Sequence, residues 1–543
     1  MLCLKQFRHG ERMYIFYPGS QQRTPFKRSG LFLLMDEVNE QTVSAILDQY
    51  GLEQLCLDED IILGIPVPPP GGWNNASSST MRIFYDGLSN PEDVPFELSR
   101  EGIPTLASML RFWHAMNDVR YVIGLGTGAS YALRLAAEQP AWWAGLCAFG
   151  GSLPLETRSI APMPAWLSAC DAFTVKMFCQ ANQTDTQDDE ICYCHRNPWQ
   201  RVVTTPLCCD ASAFRLVWNR LFRHVRRINT CSTGDITSRM EDAHQIFRCF
   251  IEDERLDSTP HTWFEHIPTD TALGRKLPMV VFFHGGSDNP AEAAEMTRLH
   301  DLGQREGFIT VYPWATNRCS WNSGLNPELE DDISYIAALI QSMLRRYPID
   351  PERIYLSGFS NGAAMAMSMA LCHPGLIAGI FPIDSNWPGR RGAYEEIDWH
   401  TVLPFAKGME QKASYDYLMP IWYTYGSREL SYPVRRGSSQ QHQYDFWKMY
   451  NHITIRPTPE VGDAKGCDYG VPGDLQETLY PCTTFPKHRY EVQRFYDSSD
   501  RNLYNYVVMY DKGHEVAPMD AVLGWNYVRA FRRLSDGTLK QLA

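Results

Sequence analysis

Two stretches of this chain align without a gap: Tyr121–Pro154 reads YVIGLGTGASYALRLAAEQPAWWAGLCAFGGSLP and Tyr355–Pro388 reads YLSGFSNGAAMAMSMALCHPGLIAGIFPIDSNWP. Glycine, alanine and proline recur at one constant offset: Gly124 with Gly358, Gly128 with Gly362, Ala132 with Ala366, Ala136 with Ala370, Pro140 with Pro374 and Gly145 with Gly379. Two further landmarks recur with altered spacing, as insertions would cause. Gly72-Trp73-Asn74 matches Ser320-Trp321-Asn322, and Met163-Pro164-Ala165-Trp166 matches Met419-Pro420-Ile421-Trp422. An internal repeat of this length constrains the whole fold, because each copy must bury the same faces.

The repeated unit alternates strand and helix. Met279–Phe283, Phe308–Tyr312 and Arg353–Leu356 are short continuous apolar runs bounded by turn residues, as strands buried on both faces require. Between the last two, Ile333, Ile336, Ile340, Met343, Leu344 and Tyr347 fall on one helical face, with Asp331 and Asp332 at its start and Pro348 at its end. Strands are also expected at Ile421–Tyr425 and Tyr506–Tyr510, and a closing helix over Met519–Arg533. The first half follows suit, with strands at Met13–Tyr17, Leu31–Met35, Ile61–Ile65 and Tyr121–Ile123 and a helix over Ala129–Glu138. Alternation of this kind predicts mostly parallel sheets covered by helices on both faces.

A chain of 543 residues exceeds the roughly 250–300 residues over which one core keeps growing. The expected division is 1–232 and 233–543, with a hairpin from Phe247–Ile251 and His261–Ile267 opening the second part and the two domains packed on each other. With 50 Lys+Arg against 63 Asp+Glu, the net charge of −13 argues against a nucleic-acid partner, which needs cations to neutralise phosphates. No apolar run is long enough to span a bilayer, and the start Met1-Leu2-Cys3-Leu4-Lys5 lacks a secretion-signal core, so a cytoplasmic location is expected, with secretion left open. Fifteen cysteines are then expected to be reduced. The cluster Cys179, Cys192, Cys194, His195, Cys208 and Cys209 lacks the paired spacing of a zinc knuckle, and neither a metal nor a cofactor is called for.

Chemistry concentrates in the second half. Gly358-Phe359-Ser360-Asn361-Gly362 lies between a predicted strand and a predicted helix, where G-x-S-x-G lifts a hydroxyl nucleophile clear of the sheet. His284-Gly285-Gly286-Ser287 follows the strand Met279–Phe283, and its backbone N–H groups suit an oxyanion hole shared by Gly286 and Asn361. His514, just past the strand Tyr506–Tyr510, is placed to act as the base that serine needs. For the acid that orients it there are two candidates: Glu429 on the loop after Ile421–Tyr425, and Asp384 at the end of the strand Ile380–Ile383. Trp321, Trp387, Tyr423 and Tyr432, with His284, are candidates to line a substrate pocket.

The block from Leu277 to Pro388, carrying His284-Gly285-Gly286, Asp331-Asp332-Ile333, Arg353-Ile354-Tyr355 and Gly358-Phe359-Ser360-Asn361-Gly362-Ala363-Ala364, resembles the polyhydroxybutyrate depolymerase/feruloyl esterase group of α/β-hydrolases. The resemblance implies a serine esterase that cleaves carboxylic esters, of a small molecule or an oligomer, through an acyl-enzyme. By motif position it assigns nucleophile, acid and base to Ser360, Glu429 and His514, although members usually carry Asp where Glu429 stands. The expected fold is α/β: two tandem α/β-hydrolase-like domains, each a mostly parallel doubly wound sheet. The first copy is expected to be inactive. Gly126 takes the place of Ser360, Asp36-Glu37-Val38 stands where a His-Gly-Gly loop would, and Phe173 falls at the position of Glu429. A peptidase on the same scaffold and a non-catalytic binding or scaffolding protein are the competing readings. The acyl group, the alcohol and any homo-oligomer are left open.

Overall fold

The computed structural model describes residues 2–7, 10–18, 29–88, 119–206, 208–240, 246–248, 254–256, 259–269, 275–323, 328–385, 417–429, 432, 434, 439–454 and 473–542. The chain divides into two compact units, Met1–Glu241 and Asp242–Ala543. The first unit runs past the expected break near Thr233 because strand β11 (Val225–Ile228) pairs antiparallel with β12 (Asp235–Ser238).

The first unit is built on one ten-stranded sheet. Its strands are β1 (Leu2–Gln6), β2 (Arg12–Phe16), β3 (Ser29–Leu34), β4 (Ile61–Pro66) and β5 (Arg120–Leu125), then β6 (Gly145–Phe149), β7 (Ala165–Ser168), β8 (Thr186–Asp188), β9 (Ile191–Cys194) and β10 (Asn197–Thr205). They lie in the order β1-β2-β4-β3-β5-β6-β7-β10-β9-β8. The run from β4 to β10 is parallel, and the two edges are antiparallel additions. Two separate apolar clusters are built in this unit, one around Trp73, Tyr131 and Trp143 and the other around Leu55, Tyr121 and Trp218.

In the second unit a small hairpin, β13 (Glu254–Leu256) with β14 (Thr259–His261), precedes a nine-stranded sheet. That sheet comprises β15 (Trp263–His266), β16 (Leu277–Phe283), β17 (Ile309–Pro313), β18 (Ile349–Phe359) and β19 (Gly379–Ile383), with β20 (Ile421–Gly426), β21 (Leu475–Leu479), β22 (Tyr490–Tyr496) and β23 (Asn502–Met509). The order is β15-β17-β16-β18-β19-β20-β23-β22-β21, parallel from β17 to β23. The chain leaves β16 in one direction to make β17 and returns on its other side as β18. The crevice at the carboxyl ends of β16 and β18 is therefore a topological switch point, the place where open α/β sheets present ligands. The first unit reverses in the same way between β3 and β5.

The repeat seen in the sequence is repeated in the elements. Strand β5, helix Thr127–Glu138, turn Pro140–Trp142 and strand β6 correspond to the end of β18, helix Asn361–Cys372, turn Pro374–Leu376 and β19. Tyr121 pairs with Gly145, and Tyr355 pairs with Gly379. One expectation is corrected. The closing helix spans only Pro518–Val528, because Phe531–Arg533 turns into β24 and pairs with β25 (Leu539–Gln541). Of the expected hairpin, Arg248 N donates to Glu265 O at 3.0 Å, residues 249–253 lie outside the described residues, and Trp263–His266 is also paired antiparallel with β17.

Among the described residues thirteen cysteines are free thiols, and no helix is long and apolar enough to cross a membrane. A Cβ on Gly362 would stand 2.2 Å from the carbonyl oxygen of Phe283, and one on Gly358 would stand 2.4 Å from Gly362 itself. These contacts explain both outer glycines of the G-x-S-x-G motif: backbone meets backbone, and no side chain can rotate away. Gly362→Ala is expected to cost about 3 kcal/mol or more of stability through overpacking, checked by the midpoint of thermal or urea unfolding.

Candidate active site

Ser360 sits between β18 and helix Asn361–Cys372 with φ 54° and ψ −118°, a strained conformation for a residue with a side chain. The glycine at the equivalent turn of the first unit, Gly126, has φ 59° and ψ −129°. The turn holds the Ser360 amide on the carbonyl of Ile383, 3.0 Å away, and leaves the hydroxyl partly exposed.

His514 stands beside it. Its Nε2 lies 2.9 Å from Ser360 Oγ and its Nδ1 lies 2.6 Å from Glu429 Oε1. With Nδ1–H donating to the carboxylate, Nε2 is left as the acceptor for the serine hydroxyl. The loops carrying acid and base are stitched together. Arg428 N donates to Lys512 O at 2.9 Å, Ser427 N to Met509 O at 3.1 Å, and Asp511 N to Ser427 Oγ at 2.7 Å. The ring of Phe359 packs 4.7 Å from the imidazole. Burial pulls the His514 pKa down, but the hydrogen bond from Glu429 and the charges of Asp384 and Glu429 outweigh it, and the net shift is upward from 6.5.

Asp384, the rival acid, is not hydrogen-bonded to His514. Its Oδ2 lies 2.7 Å from the ammonium of Lys512, which also lies 2.9 Å from Asp520 Oδ2, and all three side chains are fully buried. Asp384, Glu429 and His514 bring candidate ligand atoms within 4.8 Å of one another. Lys512 holds Asp384 Oδ2, and both ring nitrogens of His514 are engaged by Glu429 and Ser360.

The glycine loop after β16 lies against the start of the nucleophile helix, where a Cβ on Gly286 would stand 3.8 Å from that of Asn361. Gly286 and Asn361 are thus adjacent, as an oxyanion hole of two backbone N–H groups requires. Hydrogen bonds hold both segments. Asn361 Oδ1 accepts from Trp321 N at 2.5 Å, and Asn361 Nδ2 donates to Trp321 O at 3.1 Å. Ser287 N donates to Cys319 O at 2.7 Å.

Three expected substrate-lining residues have other work. His284 is fully buried: Nδ1 donates to Gly285 O at 2.7 Å, and Nε2 accepts from Ala315 N at 3.1 Å. Burial lowers its pKa to about 4, so it is a neutral strut of the glycine loop. Trp321 is also buried, its indole N–H donating to His284 O at 3.0 Å. Tyr423 lies in the core, its hydroxyl donating to Ser385 O. Tyr432 is partly buried against that core with its amide on Glu429 O at 3.1 Å, and Trp387 lies outside the described residues. Sequence reasoning placed Asp332 only at a helix start and in a family motif, not in the support of the Trp321 loop. Fully buried, it accepts from Thr316 N, Thr316 Oγ1 and Asn322 N at 3.1, 2.6 and 2.9 Å, and so fixes the loop that presents Trp321. Asp332→Ala is expected to leave these three donors unsatisfied and to lower stability by about 2–3 kcal/mol, read from the denaturation midpoint.

The equivalent place in the first unit is filled. Leu34 pairs with Gly124 as Phe283 pairs with Gly358, so Asp36 takes the register position of Gly285. Its carboxylate accepts from Thr127 N at 3.1 and 3.2 Å, and Thr127 N is the amide equivalent to Asn361 N. A Cβ on Gly126 would stand 2.1 Å from Asp36 Oδ2. Trp73 Nε1 donates to Met35 O at 2.7 Å, just as Trp321 serves His284. The scaffold is repeated, while the turn equivalent to that of Ser360 lies against a carboxylate. Phe173 is partly buried against the apolar cluster around Trp73.

Residues 262–385 match the family model described as Esterase PHB depolymerase. This esterase block contains the glycine loop, Trp321, Ser360, Asn361 and Asp384, and it stops before Glu429 and His514. Poly(3-hydroxyalkanoate) depolymerase C of Paucimonas lemoignei is 32% identical over 127 residues, which is 22% of this chain and 30% of that protein. Feruloyl esterase B of Neurospora crassa is 28% identical over 107 residues, 19% of this chain and 37% of that protein. The chain therefore spans about a third of these relatives' length. Among solved structures, acetyl xylan esterase from Aspergillus awamori aligns at 15% identity and a TM-score of 0.35, covering 52% of this chain and 98% of that one.

Proposed function

We propose that the second unit is a serine esterase that cleaves carboxylic esters through an acyl-enzyme. One observation carries the reading: a single imidazole is hydrogen-bonded to Glu429 on one side and to Ser360 on the other, at 2.6 and 2.9 Å. His514 takes the Ser360 proton as Oγ attacks the ester carbonyl, and Glu429 stabilises the imidazolium that forms. The N–H groups of Gly286 and Asn361 receive the charge that develops on the carbonyl oxygen. His514 then returns its proton to the departing alkoxide, and water, activated by the same imidazole, releases the acid. The names of the relatives point to acyl esters of hydroxyalkanoate, acetyl or feruloyl type, and esters of this class are the substrates to try. On this reading the first unit is a degenerate copy of the same fold, with Asp36 seated on the amide that an oxyanion would need.

The reading is tested by hydrolysis of short-chain p-nitrophenyl esters by the full chain, set against peptide anilides; turnover of anilides alone would favour a peptidase. The pH dependence follows from the base. His514 must be neutral to accept a proton, and its pKa is raised above 6.5. Below that raised value kcat/KM is expected to fall about tenfold per pH unit, with the limb above pH 6.5. A limb near pH 4–5 would assign the titration to a carboxylate instead.

A further inference from the structure

Behind His514 one buried ammonium, Lys512, serves two buried carboxyl groups, Asp384 and Asp520. Asp520 is well served elsewhere: Oδ1 accepts from Tyr490 OH at 2.9 Å, and Oδ2 accepts from Ala517 N at 3.0 Å as well as from Lys512. Asp384 is served poorly. Beyond Lys512, its Oδ2 has only the Glu515 amide at 3.4 Å, and its Oδ1 is buried with no hydrogen-bond partner among the described residues. The carboxylate of Glu515 is turned onto its own chain, accepting from Val516 N at 3.0 Å. The charged groups that act on His514 include Glu429, Asp384 and Lys512, and those that act on Asp384 include Lys512, Glu429, His514 and Asp520.

Resting on the esterase reading, we propose that Asp384, paired with Lys512 at 2.7 Å, is a positioning residue: a second carboxyl group beside His514 that favours the imidazolium formed when Ser360 attacks. Asp384 does not touch the reacting atoms, and it is not the triad acid, because the Nδ1 of His514 is already taken by Glu429 at 2.6 Å. Its effect is through space, within the 4.8 Å cluster it forms with Glu429 and His514. Burial pushes the Asp384 carboxyl up to about 7, the Lys512 ammonium opposing only part of that push. For Lys512 itself burial works against the charge, but Asp384 and Asp520 more than compensate, so the ammonium keeps its proton.

Removing Lys512 would strand two buried carboxylates, so the experiment keeps it and breaks one arm of the clamp at a time, in the full chain. For Asp384→Asn, the acid limb of kcat/KM on a p-nitrophenyl ester is expected to move down by about one pH unit. At one unit below the wild-type limb the variant would then retain about half of its plateau rate, where wild type keeps about a tenth. Asp520→Asn breaks the other arm of the same clamp and should leave the limb where it is. A merely structural role would treat the two alike, so equal shifts, or no shift in either, would overturn the proposal. Labelling of Ser360 by a fluorophosphonate probe, run alongside, keeps the two readings apart. An unlabelled wild type removes the esterase reading, whereas normal labelling with an unmoved limb removes only the role of Asp384.

Discussion

Replacing Ser360 by alanine in the full chain is expected to lower kcat/KM for a short-chain p-nitrophenyl ester by about 10⁴-fold or more, with the protein still folded. The size follows from the chemistry. Without Oγ there is no acyl-enzyme, and what remains is binding and oxyanion stabilisation of a water attack. Alanine fits the turn as serine does, since the strained φ of 54° is imposed by the flanking backbone rather than by the hydroxyl. The same measurement bears on the first unit. Gly126 has no side chain, Asp36 accepts from the Thr127 amide at 3.1 Å, and the loop after β10 reads Pro206-Leu207-Cys208-Cys209-Asp210, without a histidine. Hydrolysis that survives Ser360→Ala, after contaminants are removed, would assign turnover to another centre.

The second large effect is expected at the acid. Glu429→Gln keeps the shape of the side chain and removes the charge that holds Nδ1–H. The imidazole can then adopt the wrong tautomer, with its proton on Nε2 facing the serine, and kcat is expected to fall about 10³–10⁴-fold. Asp384→Asn should leave the plateau rate within about tenfold of wild type, because Glu429 keeps its 2.6 Å contact with His514. A larger loss for Asp384→Asn than for Glu429→Gln would reverse the assignment. Plateau kcat for both variants, taken above the acid limb, decides it.

How much of this was legible before the fold depends on whether a residue's role is local. The nucleophile turn was readable because its glycines answer to contacts within a few residues and one strand away, such as the 2.2 Å approach of Gly362 to Phe283 O. The acid was narrowed to two strand-end carboxylates, and spacing goes no further. What separates them is Lys512, fully buried and 2.7 Å from Asp384, a long-range pairing that the sequence does not reveal. His284 and Trp321 were expected to line a substrate pocket, yet both are consumed by hydrogen bonds to backbone, which periodicity does not report. Strands β8, β9 and β21 escaped notice because they are short, polar and antiparallel at the sheet edges, so no apolar run marks them. The last helix was drawn too long because Phe531 continues its apolar face. Pairing of Phe531–Arg533 with Leu539–Gln541 overrides that pattern.

The most direct measurement is mass spectrometry of the full-length protein after reaction with a fluorophosphonate probe. The account predicts a single adduct on Ser360, abolished in Ser360→Ala and slowed in Glu429→Gln. An adduct on another residue, or none on active protein, would contradict it.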